Sequence, residues 1–212
     1  VNSRRPLRGV YAITDEVLLP ADLLLTRVEA ALRAGLALLQ YRSKQGSESQ
    51  RLQQARALVD LCRQYDTPLL INDDVPLCLA VGAAGVHLGQ RDQGLTEARR
   101  LLGPEAIIGI TCHDQLALAL QAQEAGASYV AFGRFFASQT KPTAPPADIA
   151  ILPQACRELD IPVVAIGGIT AENGAALIAA GADMLAVIHA LFAFPDVESR
   201  ARKLNSLFTS PH

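Results

Sequence analysis

Eight short apolar runs punctuate the chain, and between most of them lie ten or more residues of amphipathic, Ala/Leu/Gln/Glu/Arg-rich sequence. The runs are GVYAIT (9–14), LLQYR (38–42), LLIN (69–72), GVHLG (85–89), IIGIT (107–111), YVAFG (129–133), VVAIG (163–167) and MLAVIH (184–189). Four to six apolar residues bounded by turn signals read as strands buried on both faces, and the longer stretches read as helices. Strand and helix in alternation imply a parallel sheet.

The connections repeat as well. Gly35, Gly82, Gly126 and Gly181 each stand where a helix gives way to a strand, the place for a left-handed helix-terminating residue. Pro68 and Pro162 lead into the strands between them, with Pro104 in a looser version of the same part. Eight βα repeats without a linker predict a single-domain (β/α)8 TIM barrel over residues 1–212, at the small end of that fold's range. A doubly wound open sheet is the competing architecture. It usually has fewer strands, and the chain has no glycine-rich dinucleotide turn.

Composition narrows the function. The chain is half hydrophobic, with mean hydropathy +0.21 and a net charge of −2, so no basic stripe is available for nucleic acid. The most apolar stretch, ALIAAGADMLAVIHALFAF (176–194), is broken by Gly181 and Asp183 and changes period midway, which predicts a helix followed by a strand rather than a membrane span. The N-terminal VNSRRPLRGVYAIT has no apolar signal core, so a cytoplasmic protein is expected. Cys62, Cys78, Cys112 and Cys156 lack metal-ligand spacing and read as buried, reduced thiols.

Polar residues gather where the strands finish, the face on which such barrels build their chemistry. Thr14 and Asp15, Gln40, Arg42 and Lys44, Asn72, Asp73 and Asp74, Gln90 and Asp92, Thr111, Gly167 and Gly168, and Ile188 and His189 occupy those ends. Arg42 and Lys44, two apart, are expected to project the same way, and Lys141 adds a cation from the loop FFASQTKPTAPPA (135–147). Fork and point charge together suit a polyphosphate. Asp73 and Asp92 end neighbouring strands and suit Mg²⁺, which takes one or two carboxylates plus substrate phosphates. Gly167 and Gly168, ahead of a helix at TAENGAALI (170–178), offer backbone N–H groups to a second phosphate. Asp74 is expected to cap the short helix VPLCLAVG (75–82), with Pro76 in its first turn, although Val75, biased out of the helical region by that proline, is an alternative cap. His87 reads as a satisfied interior or rim histidine.

Taken in order, YAITD, QYRSK, LLINDDV, GVHLGQRD, IGITCHD, YVAFGRFFASQTKP, VVAIGGI and GADMLAVI resemble the thiamine phosphate synthase family over the whole chain. The IGGI motif alone is common among phosphate-binding barrels; the combination Q-x-R-x-K, N-D, H-L-G-Q-x-D and T-K-P is specific. The resemblance implies an enzyme that joins a pyrimidine methyl diphosphate to a thiazole ethyl phosphate, giving thiamine phosphate and pyrophosphate. It assigns Gln40, Tyr41, Arg42, Ser43, Lys44, Asn72, Thr111 and Lys141 to the pyrimidine diphosphate. Arg42, Lys44 and Lys141 would be the catalytic charges around the leaving group, and Asp73 and Asp92 the ligands of one Mg²⁺. Ser138, Gln139, Thr140, Gly168, Ile188 and His189 are implied for the thiazole phosphate. Three positions depart from the family pattern: Thr111 and His189 stand where serine is usual, and Ser138 where threonine is common. The implied partners are the two small molecules, with no nucleic acid or membrane, and a homo-oligomer is left open. A thiazole tautomerase of the same fold would not need the full diphosphate set, and a sugar-phosphate isomerase would need an acid–base pair and one phosphate site. A barrel that merely senses the thiazole phosphate would bind without turnover.

Overall fold

The computed structural model describes residues 7–89, 94–137 and 145–209. Its strands are β1 (Gly9–Ile13), β2 (Leu38–Tyr41), β3 (Leu69–Asn72), β4 (Gly85–Leu88), β5 (Ile107–His113), β6 (Tyr129–Phe132), β7 (Val163–Ile166) and β8 (Met184–Val187). They close into one parallel barrel in chain order. β1 pairs with β8 through registers such as Tyr11 with Ala186, so no sheet edge is left open. The helices are α1 (Ala21–Leu32), α2 (Glu48–Gln64), α3 (Val75–Val81), α4 (Leu95–Leu102), α5 (Leu116–Glu124), α6 (Ile151–Glu158), α7 (Gly174–Ala179), α8 (His189–Phe192) and α9 (Val197–Ser206).

The punctuation works as expected. Gly35, Gly82, Gly126 and Gly181 all have positive φ, between +66° and +114°. α2 starts with a reciprocal cap, in which the Ser47 hydroxyl accepts from Gln50 N and the Gln50 side chain accepts from Ser47 N. Asn205 of α9 donates to the carbonyls of Ala34 and Gly35, tying the last helix to the turn before β2.

Because every strand is covered on both faces, two apolar layers form. Val10, Ala12, Leu39, Tyr41, Ile71, Val86 and Val130 face the helices. Tyr11, Ile13, Leu38, Leu70, Tyr129, Ala131, Val164, Met184 and Ala186 fill the barrel.

Three expectations change. Cys62, Cys78 and Cys112 are buried, and burial pushes each thiol up to about 12, but Cys156 is exposed. It lies on α6, and its Sγ meets Gly181 O at 3.0 Å. The strand read as MLAVIH ends at Val187; Ile188 turns the chain (φ −124°, ψ −77°) and His189 opens the one-turn α8. The helix read from TAENGAALI begins only at Gly174, because Thr170 N donates to Asn173 Oδ1 and closes a turn first.

Candidate active site

The first two strand ends are fastened together. Thr14 N donates to Gln40 O at 2.9 Å, and the Thr14 hydroxyl accepts from Arg42 N at 2.9 Å. β2 stops at Tyr41, so Arg42 and Lys44 stand on the following loop and strand alternation does not align them. Arg42 lies 3.8 Å from the Asp15 carboxylate, while Lys44 is exposed. What shapes this loop is Glu16, whose Oε2 accepts from Ser43 Oγ (2.8 Å), Lys44 N (3.0 Å) and Gln45 N (3.0 Å). Burial opposes the Glu16 charge, yet these hydrogen bonds and Arg42 hold its carboxyl below the ordinary 4.5.

The side chains of Tyr41 and Ser43 have partners within the protein. Adjacent strand residues point to opposite faces. With Gln40 inside the barrel, Tyr41 lies under α2, where its hydroxyl donates to Gln54 Oε1 at 2.6 Å. The Ser43 hydroxyl is committed to Glu16.

At the end of β3 the two adjacent carboxylates separate their tasks. Asp74 caps α3, accepting from Leu77 N at 2.8 Å, and pairs with Arg51 at 2.9 Å. Asp73 has φ +61°, the left-handed region that few residues other than glycine occupy. Its N–H donates to His87 O (2.9 Å), and its carboxylate accepts from Asn72 Nδ2 (2.6 Å) and Gly89 N (3.3 Å). A carboxylate on uncommon backbone geometry that accepts from N–H donors is an oriented hard-oxygen donor, the ligand type that Mg²⁺ takes. Among the described residues no group of three or more His, Cys, Asp or Glu side chains could hold a metal. Asp92, with Gln90, lies outside the described residues, as do Ser138, Gln139, Thr140 and Lys141.

On the opposite side, Gly167 and Gly168 follow β7 and carry the start of the 133–147 loop. Phe135 N donates to Ile166 O and Phe136 N to Gly167 O. A Cβ at Gly167 would overlap Arg134, and one at Gly168 would overlap Ala137 O, so the backbones touch directly. Asn173 Nδ2 donates to Gly168 O at 3.0 Å, fixing the pair from behind. The glycines stand ahead of the Thr170–Asn173 turn rather than on the end of α7 itself. Ile188 and His189 are the N-cap and first residue of α8.

Gln40 and Thr111 meet the site from inside the barrel. Gln40 is 2% exposed and donates through Nε2 to the Tyr11 hydroxyl. Thr111 Oγ1 stands 2.9 Å from His87 Nε2, just before a register irregularity in β5 between Thr111 and His113. His87 is an interior residue, hydrogen-bonded on both ring nitrogens. Thus Gln40, Asn72, Asp73, Thr111, Gly168 and Ile188 all stand at the C-terminal ends of the barrel strands. Glu16, Tyr11 and Tyr129 belong to the supporting structure and were not apparent from the strand ends alone.

A closed parallel (β/α)8 barrel with amide, hydroxyl, carboxylate and guanidinium groups gathered at the carboxyl ends of its strands has the architecture of a barrel enzyme. The sequence profile described as thiamine monophosphate synthase matches residues 10–191, and the chain belongs to that family, as a transferase of thiamine biosynthesis. It is 55% identical over 206 residues to the thiamine-phosphate synthase of Marinobacter nauticus, covering 96% of this chain and 92% of the relative. The thiamine-phosphate synthase of Saccharophagus degradans is 56% identical over 199 residues, covering 93% of this chain and 92% of that one. The structure of thiamine phosphate pyrophosphorylase from Pyrococcus furiosus superposes with a TM-score of 0.87 at 32% identity, covering 97% of each chain. Among the described residues no helix is long and apolar enough to cross a membrane.

Proposed function

We propose that the chain joins 4-amino-2-methyl-5-(diphosphooxymethyl)pyrimidine to 4-methyl-5-(2-phosphoethyl)thiazole, giving thiamine phosphate and pyrophosphate. The observation that carries this reading is the Asn72–Asp73 turn. It orients a carboxylate with amide donors at the C-terminal end of β3, which supports a ligand role in a chain matched to the family over residues 10–191. The C–O bond of the pyrimidine substrate breaks, pyrophosphate leaves with the electron pair, and the thiazole nitrogen supplies its lone pair to the new C–N bond. No proton need move in that substitution, so the site needs no Ser–His–Asp group.

Arg42, Lys44 and Lys141 would neutralise the departing diphosphate, with the Arg42–Lys44 loop held by Glu16. Gln40, Asn72 and Thr111 would hold the heterocycle, together with backbone groups of Tyr41 and Ser43. Asp73 and Asp92 would hold Mg²⁺, which when bound supplies charge stabilisation to the leaving diphosphate. Ser138, Gln139, Thr140, Gly168, Ile188 and the backbone of His189 would take the thiazole phosphate. Preorganised charge and positioning, rather than acid–base chemistry, then lower the barrier. The four free cysteines support a reducing, cytoplasmic setting for the reaction.

Incubating the chain with both substrates, with and without Mg²⁺, tests the reading. Mg²⁺-dependent appearance of thiamine phosphate with equimolar pyrophosphate is the expected result. Tight binding of the thiazole phosphate with no product under either condition would overturn it.

A further inference from the structure

Barrels of this kind are usually filled by branched apolar side chains. Here five polar side chains from five strands form one continuous hydrogen-bonded chain across the interior. Gln40 Nε2 on β2 donates to Tyr11 Oη on β1. Tyr11 Oη lies 2.8 Å from Tyr129 Oη on β6, which lies 2.8 Å from His87 Nδ1 on β4. His87 Nε2 in turn stands 2.9 Å from Thr111 Oγ1 on β5. The rings are packed as well as bonded: Tyr11 meets Tyr129 edge-on at 5.8 Å, and His87 stacks on Tyr129 at 5.7 Å. Gly109 leaves the space that the Tyr129 phenol occupies, since a Cβ there would overlap the ring.

Proton counting couples the two ends. Each phenol has one proton, and a neutral imidazole has one donor and one acceptor. With the Gln40 amide nitrogen on Tyr11, the Tyr11 proton goes to Tyr129 and the Tyr129 proton to His87 Nδ1. The imidazole then carries its proton on Nε2 and donates to Thr111. Reversing any link requires reversing all of them, including a rotation of the Gln40 amide. Burial holds both phenols well above their ordinary ionisation range, so the chain keeps its protons.

We infer that Tyr11, Tyr129 and His87 are positioning residues, which lock the Gln40 amide and the Thr111 hydroxyl into one donor/acceptor pattern and so set the orientation in which the substrate's heterocycle is read. With the Gln40 nitrogen turned inward, the acceptor it offers a ligand is its amide oxygen, matched to an exocyclic amine on the ring edge. The inference rests on the pyrimidine-site reading proposed above. It concerns the ring and not the diphosphate, which the cations meet elsewhere on the rim. An apolar filling of the same volume would serve the fold without such a chain.

Tyr129→Phe removes the central hydroxyl with little change of shape. Binding of the pyrimidine diphosphate, inorganic pyrophosphate and the thiazole phosphate, each with Mg²⁺, is measured on the full chain beside steady-state kinetics. The expected result is a KM for the pyrimidine diphosphate raised by about tenfold, a change of one lost buried hydrogen bond, with pyrophosphate and thiazole phosphate binding unchanged. A cycle of Gln40→Ala and Thr111→Val is expected to be non-additive by about threefold or more in the parent and additive in the Tyr129→Phe background. Equal losses for pyrophosphate and the pyrimidine diphosphate, an unchanged KM, or a coupling that survives Tyr129→Phe would overturn the inference while leaving the parent's reaction standing. Tyr11→Phe is the second variant should the first not fold, and failure of both to fold would make the chain structural and overturn the inference too. A parent that does not bind the pyrimidine diphosphate would instead remove the proposed function, and this inference with it.

Discussion

Replacing Gly109 by alanine puts a methyl group where the structure has the tip of the Tyr129 ring. The added Cβ would overlap Cζ, Oη and Cε2 of Tyr129, which is fully buried. Regaining an ordinary carbon–carbon separation of ~3.5–4.0 Å moves the ring back by more than about 1 Å. The hydroxyl cannot follow such a shift and keep its 2.8 Å bonds to both Tyr11 and His87, since useful O–H bonds end near ~3.0 Å. Overpacking a core costs about 1–3 kcal/mol, and two lost hydrogen bonds add about 1 kcal/mol each. The expected destabilisation is therefore about 3–5 kcal/mol, a large share of the ~5–15 kcal/mol that typically holds a domain together. Gly109 has an ordinary φ, so backbone strain adds nothing to this figure. Urea unfolding of the parent and Gly109→Ala, each with and without Tyr129→Ala, measures it. In the Tyr129→Ala background the ring is gone, and the Gly109→Ala change should cost less than about 1 kcal/mol, as for a methyl group placed where space exists. A loss below ~1 kcal/mol in the parent, or the same loss with and without the ring, would refute the packing argument.

Four further outcomes are expected. Asp73→Asn keeps a residue tolerant of left-handed backbone but removes the charge; coupling should fall by ~100-fold or more with little change in the urea midpoint, and near-normal turnover would take Asp73 out of the metal site. Tyr41→Phe removes only an outward hydroxyl bonded to Gln54, so KM for the pyrimidine diphosphate should hold while stability drops by about 1 kcal/mol; a raised KM would return the side chain to the site. Glu16→Ala releases the loop of Arg42 and Lys44, raising KM for the pyrimidine diphosphate. Because the folded-state pKa of Glu16 is lowered, its stabilisation is present above the unfolded value and is lost as pH falls through the folded one; unfolding curves of parent and variant should converge below pH 4.5, and a constant gap would count against it. Finally, native protein treated with iodoacetamide should be modified at Cys156 alone, and denatured protein at all four cysteines, as mass spectrometry would show.

Eight strand positions were legible because four glycines and two prolines mark the connections, and the strands agree with those marks to within a residue or two. The cap by Asp74 was legible for a local reason: its partner, Leu77 N, lies three residues on. Glu16 was not, because its partners stand 27 to 29 residues away on the next loop and no local spacing signals them. The direction of the Tyr41 side chain was legible too. Alternation forbids Gln40 and Tyr41 from sharing a face, so the Tyr41 hydroxyl meets Gln54 on the helix side. The interior chain was hidden for the opposite reason. In a strand buried on both faces, Tyr11, His87 and Tyr129 carry no sign of which face they take, and only closure of the barrel brings the five residues together.

That closure also has a temporal side. The first strand waits for the last: Gly9–Ile13 hydrogen-bonds to Met184–Val187, and Asn205 reaches back 171 residues to Ala34. On the ribosome, β1 therefore emerges with one flank bare and keeps it bare until β8 has been made. Partial sheets present unpaired strand groups, the surface on which nascent chains stick to one another. The barrel's final seam is thus sealed only after β8 has emerged, and truncation before Met184 would leave a permanently open sheet rather than a smaller enzyme.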